Sequence, residues 1–524
     1  MSGFHRLLIA AVAAVVASTL AGACAKVPPR LDPTPGIALT ADLARADELV
    51  RAGCYSCLTE AFAIYERLAA AESGAGVAHI RAIDTALLMA IRERELGLGQ
   101  GQARRRAQDL AESLPVVFDY STYLDIVDAV GWKASGVSAE RQDSIVGGFR
   151  TVNQRFNGWR TTLLARAPGD LLSAYALTTL DCLYAYRLSE AKQQPWPLPD
   201  AAPPILRFRR AICTGANAAD LDALVKDEPR LKDAYLFFGE RSLAQGRLRT
   251  GERQLTTALE AIPDLMAAKL LLGFVAFQME DFEPARSQYH AVAAAVPGQR
   301  DALLGEAKSL SYLGRPEEAI AVLDEIVRRG TWLQGDAHYW LAWNRHRLKQ
   351  DDQAMDEVEA ARKLMPMDPN VDKLTGLVAL ARNEVERAER EFRAALQHFE
   401  GRQARDCDTG YYLASALVTQ KKWTEGAERF TASVPCYVQD EAEARKRINE
   451  IMSADLPDDR KVRLTAAKEK QIGVLQSQQA RSAYNGAVAY ANLGDKNRAR
   501  PLAERAAQHP ELADLAQKLL IRLQ

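Results

Sequence analysis

A self-similarity with a period of thirty-four residues constrains this chain more than any other feature. A Gly or Ala recurs at Gly239, Gly273, Ala307, Ala342, Gly376 and Ala414, in steps of 34, 34, 35, 34 and 38 residues. Twelve residues after each stands a second small residue, at Gly251, Ala285, Ala319, Ala354, Ala388 and Gly426. Four further on comes a large apolar one: Leu255, Tyr289, Leu323, Val358, Phe392 and Phe430. A fixed period of this length means stacked helix pairs. The small residues let two helix backbones approach, and the large one plugs the gap between pairs. Polar or Gly-bearing turns, as in Gln245-Gly246-Arg247 and Leu313-Gly314-Arg315, separate the two helices. Pro263, Pro297 and Pro366 close second helices, because proline lacks an N–H and clashes with the preceding turn. Pro435 is expected to close the sixth unit three residues early.

These positions resemble the tetratricopeptide repeat. Six registered units run between about Leu231 and Cys436, with weaker copies before and after. The resemblance implies an all-α protein, a right-handed α-solenoid of helix-turn-helix repeats. It also implies a concave groove, lined by the first helices, that holds a peptide or a partner segment. In that family the groove-facing positions lie three before and one, four and five after the first small marker. In the fourth unit they are Tyr339, Trp343, His346 and Arg347. The neighbouring units offer Lys308 and Tyr312 on one side and Lys373 and Leu377 on the other. Aromatic and Arg side chains on a concave face are good anchors, since they bury area at little entropic cost. Tyr339 and Trp343 are four apart and so share a helical face. The bland alternative is that they fill gaps between repeats. Lys308, Arg347 and Lys373 favour an acidic or carboxylate-bearing ligand. The Lys-plus-Asn arrangement with which some relatives clamp a C-terminal carboxylate is missing.

Composition agrees with helices. The chain has 524 residues, too many for one core, with 48% hydrophobic and only 7% aromatic residues. Alanine supplies much of the apolar content, which favours helix. Formal net charge is −1, with both signs interspersed, so nucleic acid is not the expected partner.

The N-terminus reads as an export signal. Arg6 precedes an apolar, small-residue-rich run from Leu7 to Ala21, which ends in Ala21-Gly22-Ala23-Cys24. This end resembles the lipobox of bacterial lipoproteins, with Cys24 as the lipid-carrying residue. Ala21 stands where leucine is usual, and the same residues suit ordinary signal peptidase, which leaves a soluble exported form. The expectation is a membrane partner through the lipid, on the periplasmic side of the outer membrane. Pro28, Pro29, Pro33 and Pro35 then make an extended tether.

Removing Cys24 leaves six cysteines, an even number, as an oxidising compartment permits. They fall into neighbouring pairs: Cys54 with Cys57, Cys182 with Cys213, and Cys407 with Cys436. The last two bracket one helical hairpin, whose ends lie close together. Cys54-Tyr55-Ser56-Cys57 has a second reading as a redox pair near a helix N-terminus, and a third as half a zinc site. Leu58 stands where a c-type haem site requires histidine.

The expected organisation is signal 1–23, tether 24–40, an irregular helical region 41–193, a Pro-rich linker and connecting helices 194–230, the regular array 231–436, and C-terminal helices with a final repeat and cap 437–524. Expected helices in the irregular region include His79–Leu96, a stretch from Ala139 to Ala165, and Leu171–Glu190. Phe118, Tyr120, Tyr123, Trp132, Phe149, Phe156, Trp159, Tyr175, Tyr184 and Tyr186 read as core there, with a small-ligand pocket as the alternative. After the array, separate charged helices are expected at Gln439–Met452 and Arg460–Gln479, and one more repeat at Ala483–His509. No zinc-protease, nucleophile-elbow or phosphate-loop motif occurs, and the seven histidines are scattered, so neither enzyme nor cofactor is expected. The class that best fits is a protein-binding scaffold of the bacterial cell envelope. Its alternatives are a thiol–disulfide protein acting through Cys54 and Cys57, and a small-ligand module.

Overall fold

A computed structural model describes residues 37–71, 76–98, 101–113, 120–130, 155–190, 193–214, 218–330 and 333–524. The signal segment, Cys24, the tether up to residue 36, Phe118, Trp132 and Phe149 lie outside the described residues. The described residues form helices joined by short turns, and no strand occurs among them.

The six units are helical hairpins. Their helices are Tyr235–Ala244 with Leu248–Ala261, Met266–Gln278 with Phe282–Ala295, Arg300–Tyr312 with Pro316–Arg329, Gln334–Arg347 with Asp351–Leu364, Pro369–Ala381 with Val385–Gly401, and Cys407–Thr419 with Trp423–Met452. Each helix packs on the next in sequence. The chain is thus an all-α helical-repeat solenoid.

The small-to-large rule has a direct geometric basis. A Cβ added at Gly376 would sit 2.5 Å from the Phe392 ring, and one at Gly239 would sit 2.6 Å from Leu255. The Tyr289 ring fits between Gly273 of its own unit and Gly305 of the next. It therefore joins hairpins as well as helices. Ala307, Ala342, Ala388 and Ala414 have no solvent exposure.

The turn inside each hairpin repeats as faithfully as the helices. Gly246, Glu280, Gly314, Lys349, Asn383 and Lys421 all take positive φ, between 61° and 76°. Each ends its helix with the same αL cap: Arg247 N–H, for example, bonds Ser242 O at 2.8 Å, and Asp281 N–H bonds Ala276 O at 2.9 Å.

The region before the array is not a separate body behind a linker. One core runs from Leu43 to Phe238. Tyr120, Tyr123, Phe156, Trp159, Tyr175 and Tyr184 are buried in it. Of the stretch expected from Ala139 to Ala165, residues 155–165 are described and are helical. The Pro-rich segment is packed down: Trp196 is buried and donates its backbone N–H to Asp181 at 2.7 Å. Arg160 binds Asp181 on one side and the Gln194 carbonyl on the other. The segment, expected as a linker, is therefore packed onto this core.

Other boundaries need correction. The first described helix, Ile37–Ala52, starts inside the expected tether. The helix expected at Leu171–Glu190 breaks at Tyr184, whose ψ of 35° leaves helical geometry, giving Leu171–Leu183 and Ala185–Glu190. The largest correction concerns Pro435. It does not end a helix but lies inside Trp423–Met452, a helix of 30 residues. Its partner, Asp458–Asn492, has 35 residues and absorbs both the second charged helix and the first half of the final repeat. Proline removes one backbone bond here, and the helix continues because its next residues are held from outside. Cys436 is bonded to Cys407, and Tyr437 O–H donates to Asp408 at 2.8 Å. The final repeat closes with Lys496–Ala507, and Ala513–Arg522 follows.

Candidate partner-binding face

Units two to four carry a run of aromatic rings, all on first helices except Phe282, which opens the second helix of unit two. Tyr312 ends the first helix of unit three and is 55% exposed. Its ring stacks on Phe282 at 4.6 Å with the planes nearly parallel, and meets Phe277 at 5.7 Å and Trp340 at 5.6 Å edge-on. Trp340 then contacts Tyr339 at 5.5 Å and Trp343 at 6.5 Å. The Lys308 ammonium lies 5.9 Å above the Trp340 ring. Such a stair exposes apolar area while each ring is braced by its neighbour, so little rotamer freedom is left to lose on binding. Buried Asn344 locks the unit-four helix to unit three, donating to Ser311 Oγ at 2.8 Å and to Trp340 O at 2.7 Å.

The positively charged residues expected in the groove are distributed differently. Lys373 lies 2.8 Å from Asp406 and 3.6 Å from Asp408. Asp406 also caps the next helix, accepting from Thr409 N–H at 2.8 Å. Burial pushes the Asp406 carboxyl up, but Lys373 and these hydrogen bonds outweigh it and hold the carboxyl below the usual range. Lys308 is 3.6 Å from Asp336. His346 pairs with Asp351 at 2.6 Å, within its own hairpin. Arg347 donates to the Ser311 carbonyl at 2.6 Å and remains exposed. The three cations thus form no open carboxylate clamp, because the array's own carboxylates reach two of them first. His338 serves a different acid, Glu357. Among the described residues no cluster has the makings of a metal site.

Phe277, Phe282 and Trp340 were not singled out from the sequence. The offsets used for unit four, applied to Gly273, reach Phe274 and Phe277. Phe274 is 40% exposed. Trp340 and Phe282 fall off those offsets and have no such signal.

The six remaining cysteines are joined as Cys54–Cys57, Cys182–Cys213 and Cys407–Cys436. Cys54 and Cys57 stand at the start of helix Tyr55–Ala71 and are 2% and 4% exposed, which withholds both sulfurs from an attacking thiolate.

A cleft of about 730 Å³ opens in the N-terminal half, lined by Asp47, Tyr65, Arg81, Thr85, Trp196 and Leu206 among others. Asp47 accepts from the Tyr65 hydroxyl and from Arg81, so these three polar groups of its wall are paired with one another.

Hairpins at a thirty-four-residue period, closed by small-to-large contacts and presenting first-helix side chains, define a tetratricopeptide-type solenoid. No family model and no curated protein matches the chain. Among solved structures it is similar to a tetratricopeptide repeat protein from Parabacteroides merdae, with 14% identity, 56% of this chain and 98% of that chain covered, and a TM-score of 0.36. It is similar also to the APC/C hetero-tetramer Cut9-Hcn1, at 12% identity, 90% and 76% coverage and a TM-score of 0.41. A third is YrrB, a TPR protein with an unusual peptide-binding site, at 16% identity, 34% and 91% coverage and a TM-score of 0.30.

Proposed function

We propose that this chain is a non-catalytic scaffold that holds a peptide segment of a partner protein on the aromatic stair of units two to four. The observation that carries the reading is Tyr312, more than half exposed yet stacked on Phe282 and braced by Trp340. An exposed ring that is already ordered is an anchor waiting for an apolar or proline-bearing side chain. Arg347, beside it, supplies a directional contact.

The scaffold works in the bacterial cell envelope, exported by the signal at 1–23 and hung from the outer membrane by a lipid on Cys24. The support is the lipobox-like Ala21-Gly22-Ala23-Cys24 and the even number of cysteines that remain. Palmitate labelling of the intact chain and of Cys24→Ala tests the anchor.

Capture from envelope extract tests the stair. Tyr312→Ala with Trp343→Ala and Arg347→Ala is expected to lose the captured partner while the helical signal and melting temperature stay near wild type. Unchanged capture sinks the reading. The N-terminal cleft supports a second reading, a small-ligand module. In that case Trp196→Ala removes ligand binding and the stair variant does not.

A further inference from the structure

The two long helices of the C-terminal part do more than extend the stack. Residues 437–479 leave the array at unit six, and the tip of this long hairpin returns to units one and two. Arg460 donates to Glu252 at 2.6 Å and to Asp281 at 3.1 Å. Arg463 grips both Asp281 oxygens, at 2.8 and 2.9 Å. Lys468 reaches Glu280 at 2.6 Å. These partners are 179 to 208 residues apart in sequence. Asp281 is 3% exposed and Lys468 9%, so the contact is a seated joint and not a chance meeting of surface charges. Leu464, Lys468 and Ile472, four apart, are all buried on one face of the helix. A cleft of about 330 Å³ lined by Gly246, Arg249, Glu280, Ile451, Leu464 and Lys468 remains in the joint.

The seat is specific to its place in the array. Glu280 and Asp281 form the turn of unit two, where Glu280 takes positive φ and Asp281 follows it. The residues that follow the equivalent turns of the other units are Arg247, Arg315, Gln350, Glu384 and Lys422. Among these six units only unit two offers aspartate there; the final repeat has Asp495 after Gly494, where Arg498 of the same helix holds it. The root is held too: Cys407–Cys436, Tyr437 on Asp408, and Arg405 on Asp440 at 2.6 Å anchor the first turns of the projection to unit six. Pro435, one residue before the root, omits a backbone bond and supplies a place to bend.

We propose that residues 437–479 are a releasable strap that closes units one to six into a ring of contacts and sets the curvature of their inner face. Its root is covalent and its tip ionic. Arg463 and Glu280 are 47% and 45% exposed, so water and salt reach the tip's ion pairs from one side, which an apolar joint of equal size would exclude. Release lets the array straighten and uncovers an acidic seat of Glu252, Glu280 and Asp281.

Zero-length carbodiimide coupling of the full chain tests this, because Lys468 and Glu280 are in direct contact when the strap is down. The Lys468–Glu280 linked peptide is expected in the monomer at low salt, and its yield is expected to fall severalfold at high salt, while small-angle scattering shows a larger radius of gyration. Arg460→Glu with Arg463→Glu is expected to abolish the linked peptide and enlarge the molecule at every salt concentration, with helical content unchanged. Should the double variant lose helicity, Arg463→Glu alone, whose side chain is 47% exposed, takes its place. Absence of the linked peptide in the wild type overturns the joint. A yield and radius indifferent to salt and to the variants overturn the release.

Discussion

Arg92 reaches Asp233 across 141 residues of sequence, at 2.8 Å, with 0% of one side chain and 1% of the other exposed. Arg92 also pairs with Glu95 at 2.9 Å, and Asp233 also accepts the Tyr55 backbone N–H at 2.9 Å. Tyr175 O–H donates to Glu95 at 2.7 Å, and Arg209 lies 3.2 Å from the same carboxylate. This network locks the helices before the array to its first unit, which is why the two behave as one core.

Removing one member leaves buried charge without its partner. Arg92→Met is therefore expected to cost about 3–5 kcal/mol, far more than the loss of an exposed pair. Differential scanning calorimetry of wild type should show the N-terminal half and unit one melting together. In Arg92→Met the N-terminal transition should move to lower temperature and separate.

Gly376→Ala pits two effects against each other. Alanine in a helix interior gains up to about 1 kcal/mol over glycine. The new Cβ, however, falls 2.5 Å from the Phe392 ring, and overpacking a tight core costs about 1–3 kcal/mol. The steric term is the larger, so the urea midpoint falls. Gly473→Ala, in the helix Asp458–Asn492 with nothing within 4 Å, is the control and raises it.

Phe392→Ala removes a ring with no exposure that fills the space beside Gly376. The expected cost is about 3–5 kcal/mol, read as a loss of protection in hydrogen exchange concentrated in units five and six.

Cys407→Ser with Cys436→Ser opens a loop of 29 residues, which in the chain-entropy model costs about 3–4 kcal/mol. Urea unfolding with and without reductant checks it. Reductant should lower the wild-type midpoint toward that of the variant and leave the variant's own midpoint unmoved by this bond.

Glu389 gives the array an acid limit. Burial pushes its carboxyl up, but Lys422, Arg393 and Gln420 together hold it down, to about 2 from an ordinary 4.5. A depressed folded value means that the stabilisation is complete above about pH 4.5 and is lost as pH falls toward 2. Thermal melts should show the wild type losing stability through that window. Glu389→Gln should start lower at neutral pH and lose less.

The array was legible because its signal is repeated. Each small or large marker is weak alone, and six registered copies set the hairpins, their turns and the packing of Phe392 on Gly376. The cysteines fell into pairs because each partner is near in sequence, at separations of 3, 31 and 29 residues, and Cys407 and Cys436 lie at the two ends of one hairpin. What the sequence hid is long-range. Nothing near Asp281 foretells Arg460 and Arg463, since a salt bridge has no period and its partners are chosen by superhelical geometry. Pro435 misled because the proline rule is local, whereas Cys436 and Tyr437 hold the helix from another element. The partner of Lys373 was hidden in the same way, since Asp406 is a helix cap before it is a partner for Lys373.

The distance in sequence between Asp281 and Arg463 has a kinetic consequence. The acceptor is synthesised about 180 residues before its donor. Neighbouring hairpins can nucleate one another as they emerge, but this junction must await nearly the whole chain, and long closures are slow. A newly made molecule therefore passes through an interval in which this junction is not yet formed.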